Sequence, residues 1–236
     1  MVLNEKLRTY LKGAQFADNL VVPCGAGDRG IKLKKTAVAA LVAGKKVIDF
    51  GCADHVELLS QRFDSDKWFH KIIHTHAAQC IGLDIDRVAV ERAAAYGYNI
   101  LCYNINVDPL PSALIKHTWD YITLLDVLEH IDDPVGFLKL IREKLNGIVK
   151  KIIIVVPNAF SNGNFFNALR HFELINSDHR YWFTPYTLAK VMVRAGLALE
   201  HLELVNSYLP RYNFPRKLLL LYFPLLRDRC LAVAGL

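Results

Sequence analysis

Short runs of apolar and β-branched residues alternate with longer helical patterns along most of the chain, and this alternation limits the available folds more than any other feature. Neighbouring parallel strands cannot be joined by tight turns, so each needs a crossover, usually a helix. The runs are Lys46-Val47-Ile48-Asp49-Phe50, Cys80-Ile81-Gly82-Leu83-Asp84, Asn99 to Tyr103, Tyr121-Ile122-Thr123-Leu124-Leu125 and Lys151 to Val156. The intervening helices carry their own signals. Asp86 can cap a helix from Arg87 to Tyr96 that Gly97 stops, and Asp133 can cap one that opens on Pro134 and ends near Gly147. Helices are also expected from Leu3 to Leu11, Lys32 to Val42, Asp54 to Phe63 and Lys67 to Ala77, the last capped from Asp64-Ser65-Asp66. The pattern implies βαβ units around a parallel sheet.

Pro157 to Phe183 breaks the rhythm. It is rich in Asn, Gly, His and aromatics, with one short helical stretch from Phe165 to His171. A long irregular excursion inside a compact domain is usually functional, often a lid. Thr184-Pro185 then starts a helix that Gly196 stops. Strand patterns near Ala198 to Val205 and Cys230 to Val233 bracket a short amphipathic helix near Lys217 to Leu226. That helix is expected to pack between the last two strands; the competing reading is a membrane-surface helix, because Arg216, Lys217, Arg227 and Arg229 stand at its ends.

At 236 residues and 53% hydrophobic, the chain can bury one sizeable core. No apolar run reaches the length of a membrane span and no secretory leader is legible, so integral membrane insertion is not expected. The cysteines are five in number, without CxxC, which argues against a disulfide framework or structural zinc and fits a reducing cytosol. The formal charge is +6. Its clusters, Lys32-Lys34-Lys35 and Arg211-Arg216-Lys217, are read as solvated surface. No nucleic-acid module is visible.

In sheets of this kind ligands bind beyond the carboxyl ends of the strands, where the strand order reverses. The residues just after each strand are therefore the candidates: Asp49 to Ala53, Asp84, Asn104, Leu125-Asp126 and Pro157-Asn158. Gly51 and Ala53 are small enough for a tight turn that brings N–H groups to a ligand. Asp84 ends strand two, where a carboxylate can accept both hydroxyls of a ribose.

VIDFGCADHVELL resembles the first motif of the class I S-adenosylmethionine-dependent methyltransferases, CIGLDID the second, WDYITLLDVLEHIDDP the fourth, and HRYWFTPYTLAKVMVRAGL the element after strand five. The matches cover residues 45 to 200 in the family's order. The resemblance implies a doubly wound α/β fold: a mostly parallel seven-stranded sheet, helices on both faces and an antiparallel last strand. It implies one domain over residues 1–236, with N-terminal helices in 1–44, a cofactor-binding half in 45–156, a lid and acceptor segment in 157–184, and a closing helix and strands in 185–236. S-adenosylmethionine is the implied cofactor. Asp49, Gly51, Cys52 and Ala53 would surround its methionine end, Asp84 and Ile85 its ribose and adenine, Asn104 and Ile105 the adenine edge, and Leu125 with Asp126 the sulfonium. Ala53 and His55 replace two family glycines, and His55 is expected to face away from the turn.

Methyl transfer to an alcohol also requires removal of a proton. His130 and His179 are the candidate bases, with a structural role at the start of the next helix open for His130. Asn158, His179, Arg180 and Tyr181 are expected to meet the acceptor, with Arg180 suited to an anionic sugar. Asp126-x-x-Glu129-His130 with His179 also has the spacing by which some related methyltransferases hold a divalent ion; the reading adopted assigns no metal. His70-x-x-x-His74 is read as a core or surface pair. A dinucleotide fingerprint is absent after strand one, which disfavours a dehydrogenase. A non-catalytic relative with a degenerate cofactor turn is the alternative, and measured cofactor affinity separates the two. The acceptor is expected to be a small molecule, a sugar or glycan precursor first, methylated on O or N; by analogy the chain is similar to small methyltransferases of bacterial glycan and metabolite pathways. Nothing in the sequence indicates the oligomeric state.

Overall fold

The computed structural model describes residues 1–25, 30–53, 67–209 and 213–236. His55, the helix expected over residues 54–63, the cap at 64–66 and Arg211 lie outside the described residues.

In chain order the elements are α1 (Glu5–Lys12), α2 (Lys34–Val42), β1 (Lys46–Phe50), α3 (Phe69–His76), β2 (Gln79–Asp84), α4 (Arg87–Ala95), β3 (Ile100–Cys102), α5 (Ser112–Ile115), β4 (Trp119–Leu125), α6 (Pro134–Leu145), β5 (Val149–Pro157), α7 (Asn162–Ala168), α8 (Pro185–Arg194), β6 (Ala198–Val205), α9 (Phe214–Tyr222) and β7 (Arg229–Gly235). One seven-stranded sheet has the order β3-β2-β1-β4-β5-β7-β6. The first five strands are parallel and β7 is antiparallel to both of its neighbours, as the resemblance implies. The order reverses between β1 and β4, so the crevice for a ligand opens there.

Strand alternation builds the two faces. Ile152, Ile154 and Val156 of β5 join Leu138 and Ile141 of α6 and Leu188 and Met192 of α8 in one cluster. Ile153 and Val155 point the other way and pack with Val38 and Val42 of α2 and Ile73 of α3. The caps fall where the side chains allow them. Asp86 accepts from the N–H groups of Val88 and Ala89, Asp133 accepts from Gly136, and Thr184 forms a capping box with Thr187.

Two readings need correction. Lys34 is not a solvated lysine: it is 2% exposed, and its ammonium is held by the Asp126 carboxylate with the Phe69 ring 3.9 Å below it. The C-terminal helix buries little; in α9 Leu220 is buried while Phe214 and Tyr222 stay exposed. Among the described residues no helix is long and apolar enough to cross a membrane.

Candidate functional site

Gly51 closes β1 with φ +70°, and a Cβ placed there would lie 2.5 Å from Val127 Cγ2. Only glycine fits both the conformation and the contact. The result is a tight backbone turn at the switch point, packed against Val127. Asp84 ends the next strand over; its Oδ2 accepts the Ala53 N–H at 2.8 Å and its Oδ1 accepts the Asp86 N–H at 3.0 Å. Burial raises its pKa against these bonds. The carboxylate keeps acceptor capacity for a hydroxyl. Ile85 beside it is an exposed apolar side chain.

Behind this corner sits a polar row that crosses the sheet. Asp49 of β1 is in register with Gly82 of β2 and Thr123 of β4. Thr123 Oγ1 donates to Asp49 Oδ1 at 2.5 Å, and His70 Nδ1 lies 2.8 Å from Oδ2. His70 reaches the carboxylate because Gly82 has no Cβ; one would sit 2.9 Å from His70 Cε1 and 2.6 Å from Cys52 Sγ. Of the pair His70 and His74, only His70 lies in the core, where it grips the acid of the first motif, and His74 is exposed. Cys52 also faces inward, packing with Trp68 and Ala89, so it offers backbone rather than thiol.

Beyond β4 the chain turns at Asp126, a non-glycine residue with φ +56°. Its carboxylate meets Lys34 from α2 and Arg229 from β7, the latter at 3.2 Å. Burial pushes its pKa up, but the two cations outweigh burial and hold it below the usual range. Leu125 caps the strand as a half-buried side chain. Three residues on, Glu129 is fully buried, and neither carboxylate oxygen finds a hydrogen bond among the described residues. Burial first, and then the charge of Asp126, pushes its pKa up to about 8. His179 Nε2 stands 4.0 Å from Glu129 Oε1, and the His130 and His179 rings meet edge to face at 4.8 Å. Burial and the neighbouring His130 lower the His179 pKa. One donor atom from each of Glu129, His130 and His179 lies within 4.8 Å of the others, a spacing able to hold a cation. Glu129 was legible only within the Asp-x-x-Glu-His pattern; Lys34, Arg229, His70 and Thr123 carried no signal of their role.

The excursion after β5 is pinned to this turn. The Arg180 N–H donates to the Glu129 carbonyl at 2.8 Å, and Tyr181 Oη donates to the Asp132 carbonyl at 2.7 Å. The Arg180 guanidinium pairs with Asp132 and Nη1 donates to the Asp178 carbonyl. Arg180 and Tyr181 therefore latch the segment, and Arg180 does not stand free for an anionic acceptor. Asn158 is fully buried and its side chain is spent: Nδ2 donates to the carbonyls of Leu225 and Arg227, and Oδ1 accepts from Phe160. It splices β5 to the segment before β7 instead of meeting the acceptor.

On the β3 side, Asn104 Oδ1 accepts the Asn106 N–H at 3.0 Å, while Ile105 is buried in the core. Ile105 thus supports the loop from below. A cavity of about 360 Å³ lies between Asn106 and the turn from His130 to Asp133.

Comparison with known proteins agrees with this geometry. Residues 28–202 match the methyltransferase domain family. No curated protein matches the sequence. Among solved structures, the chain is similar to a possible histamine N-methyltransferase of Thermotoga maritima, at 15% identity and TM-score 0.55, with 85% of this chain and 86% of that one covered. The magnesium protoporphyrin IX methyltransferase of Synechocystis, solved with S-adenosylhomocysteine, aligns at 14% identity and TM-score 0.52, covering 85% and 82%. A methyltransferase from Aquifex aeolicus covers 97% of both chains at 13% identity and TM-score 0.51. At these identities the likeness is one of fold, and the family match carries the assignment: the chain belongs to the methyltransferase domain family and is an S-adenosylmethionine-dependent methyltransferase.

Proposed function

We propose that the chain methylates an oxygen or nitrogen of a small acceptor held between the β4 turn and the excursion after β5. The observation that carries this reading is the Glu129–His130–His179 cluster, in which a buried carboxyl group with no side-chain partner in hydrogen-bond range among the described residues stands beside two imidazoles at the switch point's rim. S-adenosylmethionine supplies the activated methyl group, so this chain has to align the acceptor and take its proton. A carboxyl group pushed to about 8 is matched to proton exchange near neutral pH. His179, with its lowered pKa, is a neutral imidazole able to accept a proton at the same pH. Gly51, Asp84 and Ile85 fit the cofactor: a tight glycine turn, a ribose acceptor and an apolar surface for the adenine.

The sugar acceptor expected from the sequence rested partly on Arg180. Its pairing with Asp132 withdraws that support and leaves the nucleophile, O or N, as the reading put forward.

The test is transfer of a labelled methyl group from S-adenosylmethionine into a fractionated small-molecule extract. Wild type should label a discrete product. Glu129→Gln and His179→Ala should each sharply reduce labelling while S-adenosylhomocysteine still binds. Undiminished labelling by both variants would place the acceptor elsewhere.

The orphaned Glu129 carboxylate favours a second reading, a divalent cation bound by Glu129, His130 and His179. Manganese added to chelator-treated protein would then raise its melting temperature, and Glu129→Gln would abolish the shift.

A further inference from the structure

The Glu129–His130–His179 cluster borders Trp182 through the His179 ring. On the far side of Trp182 lies a groove of about 500 Å³, walled by Phe160, Phe165, Phe172, Leu174 and Leu225. This volume falls within the roughly 300–1,000 Å³ of sites that enclose whole small molecules. Trp182 belongs to both regions: it lines the groove, and its ring centroid stands 6.0 Å from that of His179. Its indole N–H donates to Glu173 Oε1 at 2.5 Å. That bond fixes the ring and occupies Glu173, the one charged side chain among the described residues of the groove wall. Phe165, Phe172 and Leu174 leave much of their surface exposed although they flank a concave site, an arrangement that marks a binding groove rather than an unfinished core.

We propose that the methyl acceptor is amphipathic: a hydrocarbon body of alkyl, isoprenoid or ring character lies in this groove, and the nucleophilic end passes Trp182 to reach His179. This rests on the methyl-transfer reading and names its substrate class. Among the described residues that line it, the groove offers no cation for a sugar phosphate or carboxylate; Asn164 and Asn167 add polar edges to a mostly apolar wall, and the hydrophobic effect would supply most of the hold on the body. The contact of Trp182, a groove-wall residue, with the His179 ring favours this occupant over a second copy of the chain, which would need only the outer aromatics.

The test uses N-phenyl-1-naphthylamine, an uncharged fluorescent probe of apolar sites, titrated into the full chain. Saturable binding at one site is expected. Ala168→Trp, which fills the groove from an exposed helical position, and Leu174→Asp should each weaken the probe by roughly tenfold or more, about 1.4 kcal/mol. Both should leave S-adenosylhomocysteine affinity unchanged, which also shows that they fold. The labelled product of the extract experiment should partition into organic solvent. Absence of saturable probe binding in protein that binds S-adenosylhomocysteine would overturn the inference alone. So would equal probe affinity in both variants, or a dimer in sedimentation that Leu174→Asp dissociates. Failure of S-adenosylhomocysteine to bind would instead overturn the methyl-transfer reading beneath it.

Discussion

His70 Nδ1 and Asp49 Oδ2 meet 2.8 Å apart in the core, the aspartate standing on the strand that ends in the Gly51 turn. The carboxylate is 3% exposed, so its two partners, His70 and Thr123, replace the water it lost on folding. Removing one partner leaves a buried charge partly unsatisfied. His70→Ala should therefore cost about 1–3 kcal/mol or more. Urea unfolding measures this, and Thr123→Val should cost less because a hydroxyl is the weaker partner. Equal stability of His70→Ala and wild type would show that the pair contributes nothing.

Gly51 yields a second expectation. Alanine there suffers the left-handed conformation, about 1–2 kcal/mol, and a contact at 2.5 Å with Val127. Gly51→Ala should lose stability and bind S-adenosylhomocysteine more weakly. The double variant with Val127→Ala should recover part of the stability, because it relieves the contact and not the backbone conformation. No recovery in thermal unfolding would mean that the clash is absorbed elsewhere.

Glu129 gives a pH dependence with a definite sign. Burial, and after it Asp126, raises its folded pKa to about 8, above its value in the unfolded chain. The folded state therefore favours the protonated form. The stability linked to that proton is complete below the unfolded carboxyl range and is lost as pH rises through about 8. Glu129→Gln, neutral at every pH, should gain on wild type between pH 5 and 8, about the window between the two values. Chemical denaturation at both pH values checks this; a constant difference would contradict the raised pKa.

Lys34 and Asp126 carry a fourth. The ammonium is buried and joins α2 to the β4 turn. Lys34→Ala would leave Asp126, whose side chain is 35% exposed, beside Arg229 and should cost about 1.5–3 kcal/mol, the range for hydrogen bonds to a charged group. Lys34→Met, similar in length, should cost less than alanine in the same denaturation experiment.

The order and kind of elements were legible because their signals are local. β6 spans the expected Ala198–Val205, and Asp86, Asp133-Pro134 and Thr184-Pro185 start helices as their chemistry dictates. The errors lie where local pattern ends. β4 begins at Trp119 and β5 at Val149, earlier than the apolar runs suggest, because backbone pairing between these two strands extends past the hydrophobic stretch. The four-residue α5 has too few turns to show a period. In the candidate site, Gly51, Asp84 and His130 could be picked from their position after strands, and His179 from the polar, aromatic segment after β5. Lys34 could not, since its burial depends on a carboxylate 92 residues away. Arg180 and Asn158 were misplaced for the same reason: Asp132 and the carbonyls of Leu225 and Arg227, which claim their side chains, are distant in sequence.

Binding of S-adenosylhomocysteine, followed by calorimetry, tests the central claim most directly. One saturable site is expected. Asp84→Ala, which removes the carboxylate at the end of β2, should weaken it by about 1.5–3 kcal/mol, the range for hydrogen bonds to a charged group. Absence of both heat and thermal stabilisation with wild-type protein at saturating ligand would contradict the cofactor assignment and leave a methyltransferase fold without its chemistry.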